Sequence, residues 1–244
     1  MKNDFFALYD ALIEGVDSGD AIRYARAGER WVLVETKTAS GMAMFTDGHS
    51  IPPMFSTLEG LSLSAVANAV KSWNLEEASF GLAAANAYYN TPERLDCLGA
   101  AVSMDVFYTD GIDLQGRTVG IIGHMHGPKE LREKAKAVYT LERDPQEGDY
   151  PDSACDLLLP QCDLVLVTGS SLLNKTLPHL LELCEKATVI LTGPSVPLCP
   201  ALLDFGIDRI AGMAMTDRDS IRARVESGLR GSPYREGVPF ILNK

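Results

Sequence analysis

The chain has 244 residues, and its 46% hydrophobic content is enough for a sizeable core. Thirty-three acidic side chains against 22 basic ones give a formal charge of −11, which sets most of the surface against a polyphosphate partner and argues against nucleic-acid binding. Asp4 lies where a signal peptide would carry its apolar segment, and no apolar run approaches bilayer length, so a cytoplasmic protein without a membrane partner is expected.

Five cysteines, at 97, 155, 162, 184 and 199, form no C-x-x-C pair. Their odd number argues against a complete disulfide framework and their spacing against a structural zinc site, so a reducing compartment fits.

Phe5, Leu8, Tyr9, Leu12, Ile13 and Val16 recur at helical spacing and predict an amphipathic opening helix that ends near Ser18-Gly19. Two β-rich runs, Arg30 to Thr36 and Gly41 to Thr46, predict a hairpin. Helices are predicted from about Ser62 to Trp73 and from about Leu75 to Tyr89, the second stopped by Thr91-Pro92. Residues 1–100 therefore read as a small α+β domain.

Residues 101–244 follow a different grammar. After a crossing segment, Gly99 to Gly116, short apolar runs alternate with turns and helix-compatible stretches. Strands are predicted at Thr118 to Ile122, Ala137 to Leu141, Asp163 to Thr168, Thr188 to Thr192 and Arg209 to Ala211. Runs of four to six apolar residues without polar alternation suit a parallel sheet covered on both faces. The expected class is α/β, a Rossmann-like doubly wound parallel sheet preceded by the α+β domain.

In an open parallel sheet, ligands gather outside the carboxyl ends of the strands. The first such loop runs from Gly120 to Pro128. Aligning Gly123 with the first glycine of G-x-G-x-x-G puts Met125 and Pro128 at the other two, which disfavours ordinary NAD binding. Glu142, at the end of the second strand, has the reach to accept hydrogen bonds from a ribose or another diol, or it is a solvated acid beside Arg143. His124 and His126 sit two apart; His124, nearer the strand end, is the candidate for a metal contact or for proton transfer, against capping and solvation roles for the pair. His49 and His179 look ordinary.

The second loop, Thr168 to Thr176, offers Gly169, Ser170 and Asn174, with Thr176 either a ligand contact or the N-cap of a helix opened by Leu177-Pro178. It lacks the order of a P-loop. The third, Thr192-Gly193-Pro194-Ser195-Val196-Pro197, is a stiff turn that presents Ser195, without the G-x-S-x-G setting of a nucleophile. Gly212 to Asp217 follows the fifth strand, with Asp217 capping a helix from Arg218 to Ser227. Asn86, among small residues in Gly81-Leu82-Ala83-Ala84-Ala85-Asn86-Ala87, either bonds a neighbouring loop in the core or faces an interdomain cleft.

That alanine-rich block, Val119 to His124, Thr168 to Thr176 and Leu191 to Pro197 together resemble proteins of the DUF364 type with a DUF4213 N-terminal domain, over nearly the whole chain. The resemblance implies an N-terminal domain similar to that of enolase, a Rossmann-like C-terminal domain and a site in the cleft between them. The activity it implies is the handling of heavy metals or of metal-binding small molecules. It transfers no catalytic residue, and the enolase likeness concerns fold alone.

The leading expectation is a binding protein or enzyme that holds a small molecule, a heavy-metal ion or a metal complex in an interdomain cleft. Its contacts would be Asn86, Gly123, His124, Met125, Glu142, Gly169, Ser170, Asn174, Thr176, Gly193, Pro194 and Ser195, with His124 as the metal contact. One alternative is a transferase or other enzyme using an adenosine-containing cofactor such as S-adenosylmethionine, with Glu142 on the ribose. The other is a regulatory or scaffold protein with a vestigial cleft. A homodimer is the expected assembly.

Overall fold

A computed structural model of the chain describes residues 5–16, 19–48, 51–103, 109, 111–125 and 129–244. The opening helix is α1 (Ala7–Glu14). Instead of a two-stranded hairpin, a three-stranded antiparallel sheet follows: β1 (Tyr24–Ala27), β2 (Trp31–Glu35) and β3 (Ser40–Met44), in that order. Strand β1 is edge structure; its sequence, Tyr-Ala-Arg-Ala, carries no aliphatic run, so local pattern gives it no signal.

The predicted helix from Ser62 is shorter, α2 (Leu63–Ala67), and tightens into a 3-10 turn at Asn68–Lys71. Helix α3 (Leu75–Tyr89) starts where Asn74 Oδ1 accepts the Glu77 N–H. It stops before Thr91-Pro92, which opens α4 (Pro92–Cys97) with Thr91 as cap. Small residues set how closely α3 packs. A Cβ on Gly41 of β3 would lie 2.1 Å from the Ala83 oxygen, and one on Gly81 of α3 would lie 2.2 Å from the Val70 nitrogen, so neither position tolerates a side chain.

The remaining strands form one mixed sheet: β4 (Ala101–Val102), β5 (Thr118–Ile122), β6 (Ala137–Glu142), β7 (Tyr150–Pro151), β8 (Leu164–Thr168), β9 (Thr188–Thr192), β10 (Arg209–Met215) and β11 (Gly237–Asn243). Their spatial order is β4-β11-β10-β9-β8-β5-β6-β7. Neighbours from β10 through β7 are parallel, whereas β11 pairs antiparallel with both β10 and β4. Counted along the chain, the six parallel strands lie in the order 3-2-1-4-5-6 of doubly wound sheets, with the reversal between β5 and β8. The chain is thus an α/β fold, though its sheet is not purely parallel.

Strand β10 corrects the short Arg209 to Ala211 expectation. After pairing with β9 through Ala211 it runs on to Met215 as a ribbon with β11. The helices are α5 (Lys129–Lys134), α6 (Cys155–Leu158), α7 (Ser170–Leu173), α8 (Leu177–Leu183) and α9 (Arg218–Glu226), the last capped by Asp217 as expected. Among the described residues no helix is long and apolar enough to cross a membrane.

Alternate residues of β8 and β9 feed two cores. Leu164, Leu166 and Ile190 join Val119 and Leu131 on one face; Val165, Val167, Val189 and Leu191 join Leu177 and Leu180 on the other. The second cluster continues without a break into Tyr9, Leu12, Val32, Leu82 and Ala84, so both sheets share it. Each fully buried aliphatic side chain contributes about 1.5–3 kcal/mol. Polar joints reinforce the contact. Buried Glu35 of β2 takes Arg218 and Arg222 of α9, and the Lys175 ammonium donates to the carbonyls of Ser72 (2.6 Å) and Leu173 (2.8 Å).

Candidate functional site

Strands β5 and β8 diverge in their connections, so the loops beyond their ends open a crevice instead of closing over it. Gly123 ends β5 with φ +102°, and a Cβ there would lie 3.0 Å from Thr168 Cβ; glycine is what lets the two loops approach. A cavity of about 400 Å³ lies at this point. Its lining includes Gly123, Glu142 from the end of β6, Thr168, Ser170 and Ser171 after β8, and Asn174 and Thr176 beyond them. Met44 and Thr46, at and beyond the end of β3, complete the wall.

Hydroxyls dominate the floor. Thr168 Oγ1 and Ser170 Oγ are 3.0 Å apart, and Ser171 donates to the Thr168 carbonyl at 2.7 Å. Asn174 Oδ1 accepts both the N–H (3.1 Å) and the hydroxyl (2.7 Å) of Thr176, which fixes the amide orientation. The Nδ2 donors of Asn174 have no protein partner among the described residues. Thr176 makes no side-chain cap to α8: its backbone is helical (φ −83°, ψ −19°) where a capping residue is extended, and Pro178 in the first turn has no N–H to offer. Between Asn174 and Thr176 lies Lys175, the one described non-glycine residue with positive φ (+63°), which turns its side chain into the core and leaves its two neighbours on the cavity.

The mouth carries charges of both signs. Glu142 accepts the N–H groups of His124 (2.5 Å) and Arg143 (2.9 Å), and Arg143, Asp152, Asp156 and His179 line the opening. His179 Nε2 lies 3.2 Å from Asp156 Oδ1. Cys155 lines the inner wall, and burial pushes its thiol up to about 11, so it is protonated at neutral pH.

Five of the expected contacts, Gly123, Glu142, Ser170, Asn174 and Thr176, line this cavity, and the other seven do not. Asn86 is buried and its amide donates to the Met42 carbonyl (2.7 Å), the core role instead of the cleft role. His124 turns to the rim: Nε2 lies 2.6 Å from Asp149 Oδ2 and Nδ1 3.4 Å from Glu142 Oε1. Met125 packs on the other face of the sheet, beside Val119 and Leu131. Gly169 abuts Val196, where a Cβ would meet that side chain at 2.6 Å. Of Gly193, Pro194 and Ser195, the last joins the two sheets, its Oγ accepting the Met44 N–H at 2.8 Å, while the Gly193 N–H bonds the Ala211 carbonyl within the larger sheet. His126 and His49 lie outside the described residues.

Met44, Thr46, Cys155, Asp156 and His179 escaped the sequence reading. Only Thr46, at the end of a predicted strand, carried a signal. A larger cavity of about 780 Å³ lies by the ends of α3 and α4, but none of the strand-end hydroxyl or amide groups enters it.

The donor set does not fit a bare heavy-metal ion. Among the described residues no three His, Cys, Asp or Glu side chains converge on one point. The two ring nitrogens of His124 face different carboxylates, so Glu142 and Asp149 do not share an ion with it. Burial also raises the thiols of Cys162, to about 11, and Cys184, to about 12.

Residues 107–242 match the DUF364 family and residues 9–89 the DUF4213 family, both described as "Putative heavy-metal chelation". The chain is 30% identical over 159 residues to the uncharacterized protein MJ0500 of Methanocaldococcus jannaschii, a match covering 62% of this chain and 60% of that protein. A DUF364 crystal structure from Desulfitobacterium hafniense superposes with TM-score 0.89 at 32% identity, covering 98% of this chain and 99% of the other. One from Pyrococcus horikoshii superposes with TM-score 0.80 at 24% identity and the same coverage, a likeness of fold alone. On the extent of these matches, the chain belongs to the DUF364 family, with a DUF4213 segment at its N-terminal side.

Proposed function

We propose that this protein binds a small polar molecule at the reversal point of its parallel sheet, and that any heavy metal it handles enters as a complex whose ligands the small molecule supplies. The cavity of about 400 Å³ beyond β5, β6 and β8 carries this reading. It is of small-ligand size and combines hydroxyl, amide and carboxylate groups with apolar wall. Its oxygen-rich lining suits the polar edge of a chelate and offers no set of soft ligands. The family description supports a role in metal handling. Titration calorimetry tests it: zinc or copper carried by small organic chelators binds, and Asn174→Leu weakens that binding. Equal binding of the free ions would overturn it.

One observation favours a second reading. Glu142 lies on the cavity at the end of the second parallel strand, the position from which an acid accepts a ribose diol in dinucleotide-binding sheets. S-adenosylmethionine or NAD binding that is lost in Glu142→Gln would promote an adenosine-containing cofactor. A chain that no metal complex or metabolite stabilises would instead act as a scaffold.

A further inference from the structure

The larger cavity, of about 780 Å³, lies among the residue that follows α1, the turn before β3 and helix α4, and it shares no lining residue with the strand-end cavity. Its aromatic wall is fixed from behind. Tyr89 donates its hydroxyl to the Leu12 carbonyl at 2.8 Å, and the Tyr88 and Tyr89 rings meet edge to face with centroids 5.0 Å apart. The Arg94 guanidinium lies over the Tyr88 ring, its Cζ 3.7 Å from the centroid, and both residues line the cavity. Among the described residues no carboxylate pairs with Arg94, and its guanidinium makes no hydrogen bond.

A guanidinium held against a ring by its face keeps the N–H groups of its edge free for a planar carboxylate. Leu63, Leu98 and Pro200 give the cavity apolar surface, and Asp20 and Glu93 add two carboxylates that also have no ion-pair partner among the described residues. One cation beside two anions matches neither a simple anion nor a simple cation, whereas a molecule that carries both charges is matched at each end. The volume is that of a small organic ligand, with more room than a single amino acid fills.

We propose that this cavity binds a small zwitterion, an apolar dipeptide: its carboxylate takes the N–H groups of Arg94, its ammonium faces Asp20 and Glu93, and its side chains lie on Leu63 and Leu98. The site uses none of the residues of the cavity beyond β5 and β8, and the two readings stand or fall independently.

Cys97 lies on the same wall and is the one exposed cysteine, the other four being buried, so its alkylation reports on this cavity and not on the other. Titration calorimetry and iodoacetamide labelling of Cys97 on the full chain test the proposal, with leucyl-leucine, N-acetyl-leucyl-leucine, leucyl-leucine amide and inorganic phosphate at matched ionic strength. Leucyl-leucine binds at one site per chain and slows the labelling of Cys97. The acetylated form, which has no ammonium, and the amide, which has no carboxylate, both bind more weakly. Arg94→Gln lowers the affinity for leucyl-leucine about tenfold or more, the effect of losing a charge-assisted pair. The proposal is overturned if leucyl-leucine does not bind, if it binds without protecting Cys97, if Arg94→Gln binds it equally well, or if phosphate protects Cys97 and the dipeptide does not. Should Arg94→Gln fail to fold, the amide is read instead: affinity equal to that of leucyl-leucine overturns the carboxylate contact, and weaker binding supports it.

Discussion

The main-chain N–H of Met44 donates to Ser195 Oγ across 2.8 Å, so the three-stranded sheet ends on the loop that follows β9 of the larger one. Ser195 is buried and acts there as an acceptor, a structural duty between the two sheets. Ser195→Ala strands the Met44 N–H and lowers the unfolding free energy by about 1–3 kcal/mol in urea titration. Stability equal to that of the unsubstituted chain would show that the bond carries nothing.

Asn90 makes a denser joint of the same kind. Its Nδ2 donates to the carbonyls of Val196 (2.9 Å) and Met213 (3.0 Å), and its Oδ1 accepts the Leu198 N–H (2.8 Å). Asn90→Leu leaves three buried main-chain groups unpaired and costs about 3–5 kcal/mol, whereas Asn86→Leu, which frees the Met42 carbonyl, costs about 1–3 kcal/mol. Denaturant midpoints that rank the two variants in the opposite order would contradict this assignment of roles.

Lys175 links stability to pH. Burial lowers its ammonium to about 8, while an unfolded lysine titrates near 10.4. Between these values the unfolded chain holds more protons, so the Lys175 contribution to stability rises with pH; the cost of burying the charge is full below about pH 8 and gone above the unfolded value. Relative to Lys175→Met, the unsubstituted chain gains about 2 kcal/mol between roughly pH 8 and pH 10. A difference between the two proteins that stays flat, or falls, over that range refutes the burial of a charged amine here.

Gly123→Ala places a methyl group 3.0 Å from Thr168 at φ +102°. The substitution costs about 1–3 kcal/mol through backbone strain, and it also narrows the cavity. A thermal melt that matches the unsubstituted chain would show that the β5 and β8 loops relax apart.

Local pattern carries far where a segment's own residues decide its structure. Leu75 to Tyr89 is bounded by an Asn cap and a Thr-Pro stop, and the sequence reading finds both ends of α3. The aliphatic runs of β5, β8 and β9 are legible for the same reason. Strand β11 is not: Pro239 sits within it and lacks an N–H, which demotes the segment in any local reading, although β10 and β4 flank it. The same division runs through the site. Gly123, Glu142, Ser170 and Asn174, read from the chemistry at the ends of β5, β6 and β8, line one cavity because strand ends of a parallel sheet bring their loops together. The turn Gly193-Pro194-Ser195 is similarly polar, but its Ser195 is taken up by Met44, a partner 151 residues away. His124 and His179 exchange expected places because the Asp149 and Asp156 carboxylates that orient them come from segments without periodic signal.

Native mass spectrometry with elemental analysis, on freshly purified protein and on a Ser170→Leu variant that fills the cavity floor, tests the strand-end site most directly. The account predicts a bound organic mass on the unsubstituted chain, accompanying any metal found, and its loss from the variant. Metal retained without organic mass, or the same adduct on both proteins, would contradict it.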